Sequence, residues 1–163
     1  FTTADYASWP TFIPFLLLMS AFIGACAGST GGGIKIIRML LLYKQGSREI
    51  KRLIHPNAVI PIKLGRKPVG SRVIDAVWGF LAAYVLIFAV LMLVCMALGE
   101  DPITAYSAVG ASLNNLGPGL GDATLNYSKL SDGTKYVLSF AMLLGRLELF
   151  TLLVVLSPSF WEH

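Results

Sequence analysis

The chain has 163 residues, 55% of them hydrophobic and only 13% charged, with a mean hydropathy of +0.69. That balance excludes a soluble domain and predicts an integral membrane protein. The formal charge of +4 is uneven: ten of the 13 Lys and Arg lie between Lys35 and Arg72, opposed there only by Glu49, and with no nucleic-acid motif beside them they read as positive-inside bias, with attraction to anionic lipid as a secondary role, rather than nucleic acid binding.

The chain opens on Phe1-Thr2-Thr3, with no initiator Met and no signal-peptide pattern, and so reads as an internal or C-terminal piece of a longer protein. The first apolar span starts near Trp9-Pro10 and carries no charge from Ala7 to Ile34. Trp9 suits a membrane interface and Pro10 the opening of a helix. The pattern breaks at Gly24 to Gly33, where five glycines in ten residues are poor helix material. Helical apolar spacing resumes at Ile34, Ile36, Ile37, Leu40 and Leu41, now interleaved with Lys35 and Arg38. The prediction is a broken helix: an apolar half, a glycine-rich linker and a basic half.

Tyr43 to Arg72 reads as a basic cytoplasmic link, helical over Ser47 to Ile54 and ended by His55-Pro56-Asn57. Val59 to Leu64 and Gly65 to Val69 suggest a small hairpin, against which the prolines argue. The second span, Ala76 to Gly99, is uncharged and long enough to cross a bilayer. Glu100-Asp101 end it, and Asp101-Pro102 form an N-cap and first-turn pair. They open a helical run, Pro102 to Leu113, whose 12 residues are too few to cross. Asn114 to Gly121 follows as a glycine-rich turn, then a polar loop from Asp122 to Asp132. The third span runs from about Tyr136 to Ser157, closed by Pro158, with Phe160-Trp161 at the inner interface. The resulting topology is outside at Phe1, inside over Tyr43 to Arg72, outside at Glu100, and inside at His163. Cys26 and Cys95 sit in apolar stretches and are expected as free, buried thiols. His55 and His163 lie far from either and form no metal-ligand pattern.

Three features bear on function. A short helix followed by a glycine turn between two spans is the layout of a pore loop. Backbone carbonyls on such a turn can replace the hydration shell of a cation, and Gly117 and Gly119 permit the positive φ that aligns successive carbonyls. The alternative is an ordinary surface loop. Second, Gly28 to Lys35 lacks the Gly-Lys-Ser/Thr ending of a phosphate loop; its contiguous Gly31, Gly32 and Gly33 suggest unwound backbone forming a movable constriction, against passive close packing. Third, Arg146 falls inside the third span, where a charge costs at least ~2.5–3.5 kcal/mol. Glu148, two residues on, points about 200° away around a helix, so Arg146 needs other acceptors, and the carbonyls of Gly24 to Gly33 are candidates. A structural tie between helices and a charge in the ion path both remain open for it.

Taken together, these residues resemble the pore-forming subunits of the Trk/Ktr/HKT potassium-transporter superfamily, in its bacterial Trk branch, over nearly the whole chain. Phe1 to Asp5 resembles the tail of a third filter loop, Gly24 to Lys35 an intramembrane gating loop, Asn115-Leu116-Gly117-Pro118-Gly119 a fourth filter, and Gly145-Arg146-Leu147-Glu148 the segment whose Arg reaches the gating loop. The resemblance implies an all-α membrane protein of helix–pore-loop–helix repeats with a broken helix in the preceding repeat. Residues 1–43 would end repeat three, 44–72 form the basic cytoplasmic link, and 73–163 make up repeat four. The third filter glycine and repeats one and two lie outside the sequence, so one loop here needs others to complete a ring. The resemblance further implies uptake of potassium, the transported ion, held by carbonyls of Asn115, Leu116 and Gly117. The gate would comprise Gly28, Ser29, Thr30, Gly31, Gly32, Gly33 and Arg146. It implies no enzyme activity, a bacterial inner-membrane location, a homodimer, the remaining repeats of the same subunit and a cytosolic nucleotide-binding regulatory subunit as partners, surrounding membrane lipid, and no nucleic acid. A sodium- or proton-coupled potassium symporter and a non-conducting membrane anchor are the alternatives.

Overall fold

The structure is a computed structural model that describes residues 9, 10, 12–24, 26, 31–58, 60–124 and 126–147. It is helical apart from one small ribbon. The expected broken element is present as α1, Phe12–Ile23, and α2, Ile36–Ile54. α2 runs unbroken through Tyr43 and Lys44, so the basic half of the broken element and the start of the link are one helix. Its first turns are apolar and its last turns carry Lys51 and Arg52, which suit the partly negative C-terminal end.

The link then forms an antiparallel pair, β1 (Lys63–Leu64) and β2 (Lys67–Pro68), with Lys63 opposite Pro68 and Leu64 opposite Lys67. Gly65 takes φ +62° in the two-residue turn, a value such turns require. Pro68 is tolerated because a two-stranded ribbon consists of edges only. Ile62 packs with Leu41, Ile74 and Val77, which anchors the ribbon between α2 and the helix that follows.

That helix, α3 (Ser71–Ala97), starts five residues before the uncharged stretch does. Its 27 residues rise about 40 Å, more than a ~30 Å hydrocarbon layer. Among the described residues it is the one helix both long and apolar enough to span a membrane. Val85, Leu86, Val90 and Leu93 are exposed on it, an apolar surface of the kind that lipid or neighbouring membrane helices cover.

α4 spans Pro102–Leu113, the residues read as a short helix, and α5 spans Asp132–Arg146. α5 begins before Tyr136 because Ser131 caps it, its hydroxyl accepting from Thr134 N at 3.2 Å. The expected continuation of the third span to Ser157, with Glu148, Pro158 and Phe160-Trp161, lies outside the described residues, as does Phe1 to Asp5.

α4 is the centre of the molecule. It packs on α1, α3 and α5, and every residue from Ser107 to Leu113 is buried. Small residues (Ala105, Ala108, Gly110, Ala111) let the neighbouring backbones approach closely, the mode of packing that works where lipid is as apolar as the core. Phe22, at the end of α1, inserts among Tyr84 and Phe88 of α3 and Tyr106 of α4, with ring centroids 5.5–6.4 Å apart. The guanidinium of Arg38 lies 4.1 Å from the centroid of Phe80 and ties α2 to α3. Cys95 is buried as expected, but Cys26 is exposed, because it lies in the break between α1 and α2 rather than in a helix.

Candidate functional site

α4 begins at a well-made cap. The Asp101 carboxylate accepts from the backbone N–H of Ile103 and of Thr104, both at 3.1 Å, with Pro102 in the first turn. A side-chain hydrogen bond from Thr104 and these backbone donors hold its carboxyl below the usual carboxylate range.

Downstream of α4 the chain turns and comes back along the same helix, and α4 supplies the groups that fix it. Ser107 Oγ accepts from Leu120 N at 2.8 Å, and its own hydrogen is within reach of the carbonyls of Leu120 (3.1 Å) and Thr104 (3.2 Å). Thr104 Oγ1 accepts from Asp122 N at 3.2 Å. Gly121 (φ +63°) lies so close to Thr104 Oγ1 that a Cβ there would collide with it. The spacing of Thr104 and Ser107 places both hydroxyls on one face of the helix, which is why a strand-like limb is held without a sheet partner.

Between α4 and this limb lies Asn114 to Pro118. Asn115 takes φ +54° and Gly117 φ +103°; Asn is among the few non-glycine residues that tolerate this region. Gly119 does not take positive φ. It is needed for space instead, since a Cβ there would lie 2.9 Å from that of Ala123. Asn115 N donates to Ser112 O (3.1 Å) and Leu116 N to Ala111 O (2.8 Å). No donor among the described residues occupies the carbonyls of Asn115 or Leu116, whereas the Gly117 carbonyl accepts from the Tyr127 hydroxyl. The turn thus presents two open carbonyls at the partly negative C-terminal end of α4, and a third held by the polar loop. The Leu116 side chain, with Pro118 and Leu120, faces Pro14, Leu17 and Leu18 of α1 across a cavity of about 220 Å³.

The break between α1 and α2 closes on itself. Gly24 N donates to Ala21 O (3.1 Å), and Ile34 N to Phe22 O (3.2 Å). A Cβ on Gly24 would lie 2.8 Å from Gly32 O, and one on Gly33 2.9 Å from Gly24 Cα. Both ends are therefore pinned together, with Gly24 at φ +73° and Gly33 at φ +86°. This excursion rests on the end of α4: a Cβ on Gly32 would lie 2.6 Å from the Asn114 carbonyl oxygen, and one on Gly33 3.2 Å from Asn114 Oδ1. From the other side, Gly145 of α5 abuts the Leu113 carbonyl, with Asn115 Nδ2 2.8 Å from where its Cβ would be. Three stretches of backbone thus meet at Leu113 to Asn115.

Of the residues expected to form a gate, Gly31, Gly32 and Gly33 are at this junction or adjoin it, and Arg146 ends α5 one residue beyond Gly145 with its side chain exposed. Gly28, Ser29 and Thr30 lie outside the described residues. Sequence reasoning missed Tyr84, Ser107, Thr104 and Tyr127, and placed Asn114 in the turn without its part in the junction. Tyr84 carried a signal: a hydroxyl midway along an otherwise apolar span needs a buried partner. Here its OH donates to Asn114 Oδ1 at 2.8 Å.

A family model described as cation transport protein, TrkH, matches residues 1–163. The chain belongs to the TrkH family of cation transport proteins. Within that family it is 58% identical over 99% of its length to the Trk system potassium uptake protein TrkH of Vibrio parahaemolyticus, and 57% identical over its full length to the Escherichia coli protein of the same name. The Trk system potassium uptake protein TrkG of Escherichia coli is 42% identical over 98% of the chain. The fold matches the crystal structure of the potassium transporter TrkH from Vibrio parahaemolyticus with a TM-score of 0.91, over 99% of this chain and 35% of that one. The chain spans about a third of the length of these curated TrkH relatives. TrkH membership makes it a mostly helical membrane protein, as its composition and charge distribution led one to expect, and places it in a family of cation transporters.

Proposed function

We propose that this chain contributes the end of a third repeat and the whole of a fourth to a subunit that takes up potassium across the bacterial inner membrane. In this reading residues 1–43 end repeat three, 44–72 are the cytoplasmic link and 73–163 form repeat four. α4 and the turn after it are one pore loop of four. The carbonyls of Asn115 and Leu116, open at the end of α4, take the place of water around a dehydrating potassium ion, with Gly117 completing the filter segment. The excursion containing Gly28, Ser29, Thr30, Gly31, Gly32 and Gly33 is the gate, and Arg146 adds a positive charge beside it that slows cations until the gate shifts.

The observation that carries this reading is the seating of a glycine excursion on the residues that lead into the filter segment. Its two ends are joined to each other through Gly24 and Gly33, which ties its base to α1 and α2. A helix C-terminus aimed at the same point favours a cation over an anion. The remaining repeats close the ring, and a second copy of the subunit completes a homodimer. The basic surface of α2, where Lys44 Nζ donates to Lys63 O at 2.6 Å and Arg48 and Arg52 flank Glu49 at 3.3 and 3.5 Å, is the docking face for a cytosolic nucleotide-binding regulatory subunit.

Rubidium-tracer uptake into liposomes bearing the full-length protein tests the proposal. Uptake that ignores imposed sodium and proton gradients supports a channel-like route. Uptake that requires either gradient replaces it with a symporter, and absence of uptake leaves a membrane anchor.

A further inference from the structure

We propose that Tyr84 and Asn114 are a positioning pair that seats the glycine excursion against the filter segment and sets how often the gate is closed. The inference rests on the reading of the excursion as a gate and adds residues that lie in neither the filter nor the excursion. Asn114 closes α4 with its side chain folded back, Nδ2 donating to Gly110 O at 2.8 Å while its own backbone N–H reaches the same carbonyl at 3.1 Å. Oδ1 accepts from Tyr84 OH at 2.8 Å, so the amide is held from both ends and is buried. The amide fixed in this way is a rigid surface against which Gly33 lies, at Oδ1, while Gly32 lies on the backbone carbonyl of the same residue. Tyr84 is itself held by Phe80 and Phe22, whose centroids lie 6.1 and 6.4 Å from its own. Phe22 also accepts, through its carbonyl, the N–H of Ile34 at the far end of the excursion. One hydrogen-bonded amide therefore touches the gate, ends the pore helix and answers to α3.

If this pair is the seat, removing the Tyr84 hydroxyl leaves the amide held through Nδ2 alone, loosens Oδ1 against Gly33 and weakens the resting position of the excursion without altering the filter. One hydrogen bond is worth enough to shift a two-state equilibrium roughly two- to tenfold. The test is rubidium uptake per folded full-length protein in liposomes, comparing Tyr84→Phe in two backgrounds: the intact chain and a chain lacking Gly28–Gly32. The expected result is a rise of about two- to tenfold in the intact chain and no change in the shortened one, where nothing remains to be seated. Gly32→Ala disturbs the adjoining contact, on the Asn114 backbone carbonyl, from the excursion side and is expected to raise uptake in the intact chain too. Unchanged uptake for both substitutions overturns the proposal. So does an equal effect of Tyr84→Phe in both backgrounds, which makes Tyr84 a general packing residue. If deletion of Gly28–Gly32 itself leaves uptake unaltered, the gate reading fails first and takes this inference with it.

Discussion

Gly145→Ala puts the close approach of α4 and α5 to a quantitative test. Two effects oppose each other. In a helix interior, alanine is favoured over glycine by about 1 kcal/mol. Against that, the new Cβ would collide with the Leu113 carbonyl and come within 2.8 Å of Asn115 Nδ2. Overpacking costs roughly 1–3 kcal/mol, and the upper end applies because the obstacle is backbone of a buried helix, which cannot rotate away. The net is a destabilisation of about 2 kcal/mol, close to 30-fold in the folding equilibrium. Gly46→Ala supplies the comparison. It is equally within a helix, α2, but nothing lies within 4 Å of its added Cβ, so only the favourable term acts, about 1 kcal/mol. Melting temperatures of the two full-length variants in the same detergent are expected to move in opposite directions from wild type. A Gly145→Ala protein that melts at or above wild type would refute the packing argument for the junction at Leu113 to Asn115.

Two further predictions concern α4. Ser107→Ala strips the Leu120 N–H of its acceptor in a buried place, at a cost of about 1–3 kcal/mol; it should lower the melting temperature and widen ion selectivity, read as potassium-to-sodium uptake ratio, whereas an unaltered ratio would show that the returning limb does not hold the filter. Asp101→Ala removes an N-cap worth about 1 kcal/mol. Because the native carboxyl titrates below its unfolded value, that contribution is full above the ordinary carboxylate pKa of about 3.9 and fades as pH falls through the lower native pKa. The gap in melting temperature between wild type and Asp101→Ala should therefore be constant from neutral pH to about pH 5 and close in stronger acid; a gap independent of pH would mean the carboxylate is not the cap.

Much of the helical order was readable because its signals are local. Asp101-Pro102 announces the start of α4, a charge-free stretch marks α3, and a run of glycines marks the break between α1 and α2. The junction at Asn114 was not readable in the same way. It depends on which backbones approach one another, and no single segment encodes that. Gly145 looks like any helix glycine until Leu113 is seen behind it. Gly119 was read as a residue chosen for positive φ, yet it serves close packing against Ala123, a demand set by a neighbour four residues on and by α4 beneath it. Tyr127 lies in a polar loop with nothing in its sequence context to tie it to the Gly117 carbonyl. Start and end signals of α5 were asymmetric too: Ser131 caps it earlier than the apolar pattern begins.

Whether the proposed glycine gate seated on Asn114 closes an ion path is decided by rubidium uptake into liposomes by the full-length protein with and without Gly28–Gly32. The shortened protein, folded to the same extent, is expected to conduct faster than wild type. Equal or slower uptake by the shortened protein would mean that these glycines do not close the path.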